Sequence, residues 1–269
     1  MIRYTAPVPG KIAARRCSPR EVGFQRDLYR APAADPTDAQ KLETEFFAKL
    51  DDMAAKALDN LLVHGKGVLN RESMDVWCVF IFALLHRTPH YFDTMIRHGT
   101  RIIKETIADL GDKYLALREP HQPATFEEFV TSMDEEAFRQ RVFATVPNLI
   151  LNTNILNFLR DMHWAVLVME SPRPNLLLSD DPVVRTDGLR TDAGHVVLPL
   201  SPSHLMVGAY QMGKLREIQA MDAMDLVKQV NGQTVEAARA FVVATDDRQG
   251  RFIANRFGRR PRPPLLKGD

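Results

Sequence analysis

The residues whose types and order could do chemistry are Ser179-Asp180-Asp181-Pro182, two adjacent carboxylates directly after the apolar run 176–178. A carboxylate at a strand end can act as a general base, or as an oxygen ligand for Mg²⁺ or Mn²⁺, with Ser179 orienting it. The same four residues also make ordinary turn chemistry. Ser and Asp side chains cap nearby backbone amides, and Asp before Pro opens a turn. Arg87 is the third charged candidate, because it ends a helical run, 76–85, that is apolar on every side. An unpaired guanidinium is costly to bury, so Arg87 needs an acceptor. That acceptor is a substrate anion, the Asp180/Asp181 turn, or the carbonyls at the helix C-terminus.

Other chemistry-bearing residues are less well placed. His86 and His90 have the i, i+4 spacing of paired zinc ligands, but Pro89 lies between them and no Glu completes an HExxH pattern. His98, His121, His163, His195 and His204 show no ligand spacing. Gly65-Lys66-Gly67 lacks a third glycine and a preceding strand, so it reads as a turn and not as a nucleotide loop. Cys17 and Cys78 form neither a CxxC pair nor a zinc pattern. Two isolated thiols fit a reducing compartment, and the expected location is the cytoplasm.

The elements that must position these residues follow from hydrophobic period. Leu42, Phe46, Leu50, Met53, Ala57 and Leu61 recur at three and four, which predicts one amphipathic helix with its start at Asp35-Pro36. A second helix, 71–85, carries the fully apolar run and belongs at the centre of a helical layer. A third spans 91–110. Thr125-Phe126-Glu127-Glu128 begins a short helix as a capping box, and the longest helical run extends over 134–162, interrupted or bent by Pro147. Beyond Trp164 the period becomes strand-like, at 164–169, 176–178, 196–200 and 205–209, and the short connections favour antiparallel pairing. Helical pattern returns at 220–230 and 234–241. Short edge strands are expected at Arg3-Tyr4-Thr5 and 11–14.

The resulting fold class is α+β. The helical N-terminal two-thirds surrounds a buried central helix, and a small, mostly antiparallel sheet occupies the C-terminal half. Residues 1–36 read as an irregular segment, 37–255 as one domain, and 256–269 as a basic, proline-rich tail. The balance of 35 basic and 34 acidic residues in 269 gives no global field to steer nucleic acid or an anionic membrane. Arg259-Arg260-Pro261-Arg262, with Arg248, Arg251 and Arg256 upstream, is able to touch phosphates, but reads more simply as a solvated tail. The run 76–85 is half the roughly 20 residues a membrane span needs.

Several of these residues together resemble a known family. Leu-Leu-Leu-Ser179-Asp180-Asp181-Pro182-Val183-Val184 is similar to the Phe-Ile-Thr-Ser-Asp-Asn-Pro-Val signature of the domain of unknown function 4238 family. Arg87-Thr88-Pro89 resembles its mid-chain Arg-Thr-Pro. Trp164 before the signature, Leu198-Pro199-Leu200-Ser201-Pro202 after it and Val230-Asn231 further on follow the same order. The resemblance runs from about Asp27 to Asn255 and adds Ser179, Trp164 and Asn231 as binding candidates beside Asp180, Asp181 and Arg87. Two departures stand out. Asp181 occupies the Asn position of the signature, and nothing before Tyr29 matches the His-x-x-Pro-x-x-Tyr-Leu opening of the family. Either the start is late or that piece is lost.

Two functions are therefore expected to compete. One is a hydrolase acting on a phosphate-containing substrate, with Asp180 and Asp181 as base or Mg²⁺/Mn²⁺ ligands and Arg87 as anion clamp. The other is a non-catalytic binding or regulatory module in which the same residues are structural. The partner in either case is a small molecule or phosphate-containing ligand, with nucleic acid weakly supported.

Overall fold

A computed structural model describes residues 1–8, 10–23, 28–30, 40–63, 71–108, 111–132, 135–169, 174–186 and 188–262. The expected start at Asp35-Pro36 and the Gly65-Lys66-Gly67 turn lie outside them. The strands are β1 (Ile2–Val8), β2 (Lys11–Arg16), β3 (His163–Val168), β4 (Leu178–Ser179), β5 (Val184–Arg185), β6 (His195–Ser201), β7 (His204–Ala209) and β8 (Val242–Ala244). The helices are Ala48–Val63, Arg71–Arg87, Pro89–Ala108, Gly111–Leu117, Phe126–Ser132, Glu135–Ile150, Thr153–Asp161, Met212–Ala220, Ala223–Ala237 and Gly250–Ala254, with a π-helical turn at Leu42–Phe47. The chain is thus α+β, with helices mainly before residue 163 and both small sheets antiparallel.

The chain divides into two compact units. The first contains Met1–Gln25, Leu50–Thr88 and Thr153–Pro263, and holds both sheets. One sheet has the order β2-β1-β8-β4, the other β3-β7-β6-β5. The N-terminal strands are longer than expected, and β1 is not an edge strand: it pairs with β2 on one side and β8 on the other. The helix Ala223–Ala237 serves both sheets. Its Leu226, Val227 and Val230 pack with Val184, Val197, Leu205 and Val207, while its Val235 packs with Tyr4, Leu177 and Val242.

The Arg71–Arg87 helix has the burial its composition demands, since no residue from Val76 to Thr88 is exposed. Trp77 donates its indole N–H to the Met206 sulfur on β7. Burial pushes the Cys78 thiol up to about 12. His86 is also buried, and its Nδ1 donates to the Phe82 carbonyl one turn back, at 2.9 Å. Desolvation lowers the His86 pKa below its ordinary value.

The second unit consists of Arg26–Lys49 and Pro89–Asn152, and is helical. Pro89–Ala108 packs along Glu135–Ile150, where a Cβ at Gly99 would meet Val142 at 2.8 Å, so the absent side chain permits the close approach. Tyr29 sits between Phe47 and Phe92, and Phe92 meets Phe143 edge-on. The capping box at Thr125 forms as expected, with Glu128 N–H donating to Thr125 Oγ1 and Thr125 N–H donating back to Glu128.

Three local features differ from expectation, each for a stated reason. The π turn at Leu42–Phe47 sets successive core positions five residues apart, so Phe47 is buried where a regular helix points Phe46 inward. After it Ala54 faces the core and Met53 is exposed. Pro147 stays inside its helix, and the break in the long run falls at Leu151-Asn152. By length and composition alone, Arg139–Asp161 suffices to cross a membrane, with 28% of that window buried. Finally, the late helices begin earlier than their pattern implies. Asp222 accepts from Met224 N–H and Asp225 N–H, which starts a new helix there and carries it unbroken through Asn231-Gly232 to Ala237.

Candidate functional site

The Ser-Asp-Asp-Pro turn lies where β4 leaves its sheet. Ser179 is 3% exposed and Asp181 is 2% exposed, although both are polar. Ser179 Oγ donates to the Asp181 carbonyl at 3.1 Å and accepts from Asp181 N–H at 3.3 Å, which closes the turn on itself. Asp180 reaches across to the chain entering β8. Both its carboxylate oxygens accept from Arg239 N–H, at 3.1 and 3.2 Å, and Oδ1 also accepts from Phe241 N–H at 3.1 Å. The Asp180 amide in turn donates to the Phe241 carbonyl. A carboxylate here supplies the backbone acceptors that the three-residue strand β8 does not extend far enough to provide.

Asp181 turns inward and meets Arg262 from the C-terminal segment, Nη1 to Oδ2 at 3.1 Å. The same guanidinium donates to the carbonyls of Asp181, Val183 and Gln233, and Arg239 donates to the Arg262 carbonyl. Arg262 thereby ties the turn to the end of the Ala223–Ala237 helix. The segment read as a solvated basic tail therefore contributes at least this one arginine to the interior of the unit. The only sequence signal for it is a pair of flanking prolines, Pro261 and Pro263, which favour an extended arm.

Asn231 stands on that helix and clamps the strand that leads into the turn. Its Oδ1 accepts from Leu177 N–H at 2.9 Å, and its Nδ2 donates to the Asn175 carbonyl at 2.9 Å and to Gln249 Oε1 at 3.0 Å. Gln249 donates to the same Asn175 carbonyl. Sequence reasoning named Asn231 but missed Asn175 and Gln249, neither of which belongs to any pattern of spacing. Trp164 donates its indole N–H to the Leu159 carbonyl at the end of the preceding helix. Its ring lies over Gly208 on β7, where a Cβ would come within 2.5 Å of the ring. Only glycine admits the indole there.

Arg87 has a different partner. It grips Asp51 on the Ala48–Val63 helix with both terminal nitrogens, Nη2 to Oδ2 at 2.9 Å. Ser179, Asp180, Asp181 and Asn231 are thus assembled around β4, whereas Arg87 pairs with Asp51. Among the described residues no group of three or more His, Cys, Asp or Glu is arranged to hold a metal ion.

The family model described as "Protein of unknown function (DUF4238)" matches residues 8–248. The match takes in β4, its turn, the Asn231 clamp and Arg87, and stops short of Arg262. No curated protein and no solved structure matches the chain.

Proposed function

Since the chain belongs to the DUF4238 family, whose description assigns no activity, we propose from the site geometry that it is a non-catalytic binding or regulatory module in which the Ser-Asp-Asp-Pro turn is a structural clasp. The observation that carries this reading is the occupancy of the carboxylates. Asp180 accepts from two backbone N–H groups, one of them shared between its oxygens, and Asp181 is buried against Arg262. A general base or Mg²⁺ ligand needs lone pairs free for water, substrate or cation. Here those lone pairs hold β8 and the C-terminal segment instead. A phosphodiester hydrolase on this turn requires both carboxylates to leave these partners, and requires Arg87 to release Asp51. The two isolated thiols favour a reducing compartment, and we place the protein in the cytoplasm.

The test pairs turnover with stability. Wild type, Asp180→Asn and Asp180→Ala are incubated with bis(p-nitrophenyl) phosphate and Mn²⁺, and each is melted in urea. The clasp reading expects no turnover above buffer and a loss of about 1 kcal/mol for Asp180→Ala, because two partly exposed backbone amides lose a charged acceptor. Wild-type turnover that disappears in Asp180→Asn while the melt stays unchanged overturns it.

A further inference from the structure

The first sheet carries an arrangement of charge that the clasp does not use. Arg3 on β1 and Arg15 on β2 are directly opposed partners in the antiparallel ladder, so their side chains share one face. Like charges in that position are destabilising. Arg20, from the turn Pro19–Glu21, joins them around an open cavity of about 280 Å³ lined by Arg3, Arg15, Cys17, Arg20 and Glu21. Three arginines there face one carboxylate. Glu21 is already engaged, by Ser18 N–H at 2.7 Å and by Arg15 at 3.3 Å. Arg3 is held beneath by stacking on the Phe241 ring, its guanidinium carbon 5.4 Å from the centroid, and its buried Nε has no hydrogen-bond partner. The cavity therefore has a cationic floor and a cationic rim.

We propose that this cavity binds a phosphate group, carried by a small molecule, between Arg3, Arg15 and Arg20. A tetrahedral dianion offsets the opposed guanidiniums and supplies acceptors that their planar forks match in pairs. The volume lies at the small end of ligand sites, which admits a phosphate and a compact organic group and little more. The inference supplies the ligand of the binding module and rests on that reading for its meaning. The two still fail separately, because the clasp is judged by Asp180 variants and this site by arginines on the other edge of the sheet.

Thermal melts at matched ionic strength in chloride, inorganic phosphate and phenyl phosphate provide the test, together with the rate of Cys17 alkylation by iodoacetamide. Binding raises the Tm by about 5–10 °C at about 100 times Kd, and slows alkylation of Cys17, which lines the cavity. Arg3→Gln and Arg20→Gln abolish both effects, whereas Arg216→Gln, on an exposed helix position, retains them. Arg3→Gln without phosphate relieves the opposed like charges but gives up the stacking on Phe241, so its own melt serves as the baseline for its phosphate response. Should Arg3→Gln fail to fold, Arg20→Gln decides, since Arg20 is exposed and outside the strands. A stronger response to phenyl phosphate assigns an organic phosphate, and equal responses assign the free ion. No response to either anion, or responses retained in Arg20→Gln, overturn the proposal.

Discussion

Arg262 and Asp181 form an ion pair 3.1 Å long whose side chains are 12% and 3% exposed, joining residues 81 positions apart. Both side chains of the pair are deeply enclosed, and the guanidinium also serves three carbonyls. Arg262→Ala is expected to cost about 3 kcal/mol, because it takes a cationic partner from a buried carboxylate. Urea denaturation measures it. A loss no larger than that of an exposed arginine variant means that Asp181 finds water or another cation.

Arg87→Ala has a smaller expected effect. Its partner Asp51 is 43% exposed on its side chain, so solvent takes over much of the interaction when the arginine is removed. A loss of about 1 kcal/mol or less follows. If Arg87→Ala instead costs as much as Arg262→Ala, Asp51 is less well hydrated than its exposure indicates.

His86 gives stability a dependence on pH. Burial lowers its folded pKa below the ordinary value, so between the two values the unfolded chain binds the extra proton. Its contribution is complete above the unfolded value of about 6.5 and is lost as pH falls from there toward the depressed folded value. His86→Gln, with an amide that can still donate to the Phe82 carbonyl, should flatten that part of the profile. Denaturation of both proteins at closely spaced pH values compares the slopes. Identical slopes exclude His86 as the source.

The readable part of this chain is the part governed by period. The apolar run 76–85 announces a buried helix because no polar face exists to be exposed, and Trp77 and Ile81 are fully enclosed. Alternation at 164–169, 196–200 and 205–209 likewise marks β3, β6 and β7. Phase was less legible. A π turn advances the helix by an unusual increment, and nothing about Leu42 or Phe47 as residue types declares it. The candidate turn was visible as Ser179-Asp180-Asp181-Pro182, but its role depends on what its oxygens meet. Arg239, Phe241 and Arg262 are remote in sequence; the first two meet Asp180 through backbone amides, and the third is an arginine of the C-terminal segment. Local pattern contains no information about such partners.

The place of β1 between β2 and β8 also sets the order in which this unit can be completed during synthesis. Residues 2–4 are made first, yet their second neighbour is residues 242–244. The hairpin β1-β2 must therefore wait with one row of amides and carbonyls unpaired while more than two hundred residues are added. Such a wide separation between partners slows closure of the sheet, and an unpaired strand edge is the kind of surface that recruits other chains. β8 is also made before Arg262, so its strand pairing does not wait for the contact between Arg262 and Asp181. A released chain truncated between residues 244 and 262 should accordingly pair β8 with β1 while the contacts of Arg262 are missing.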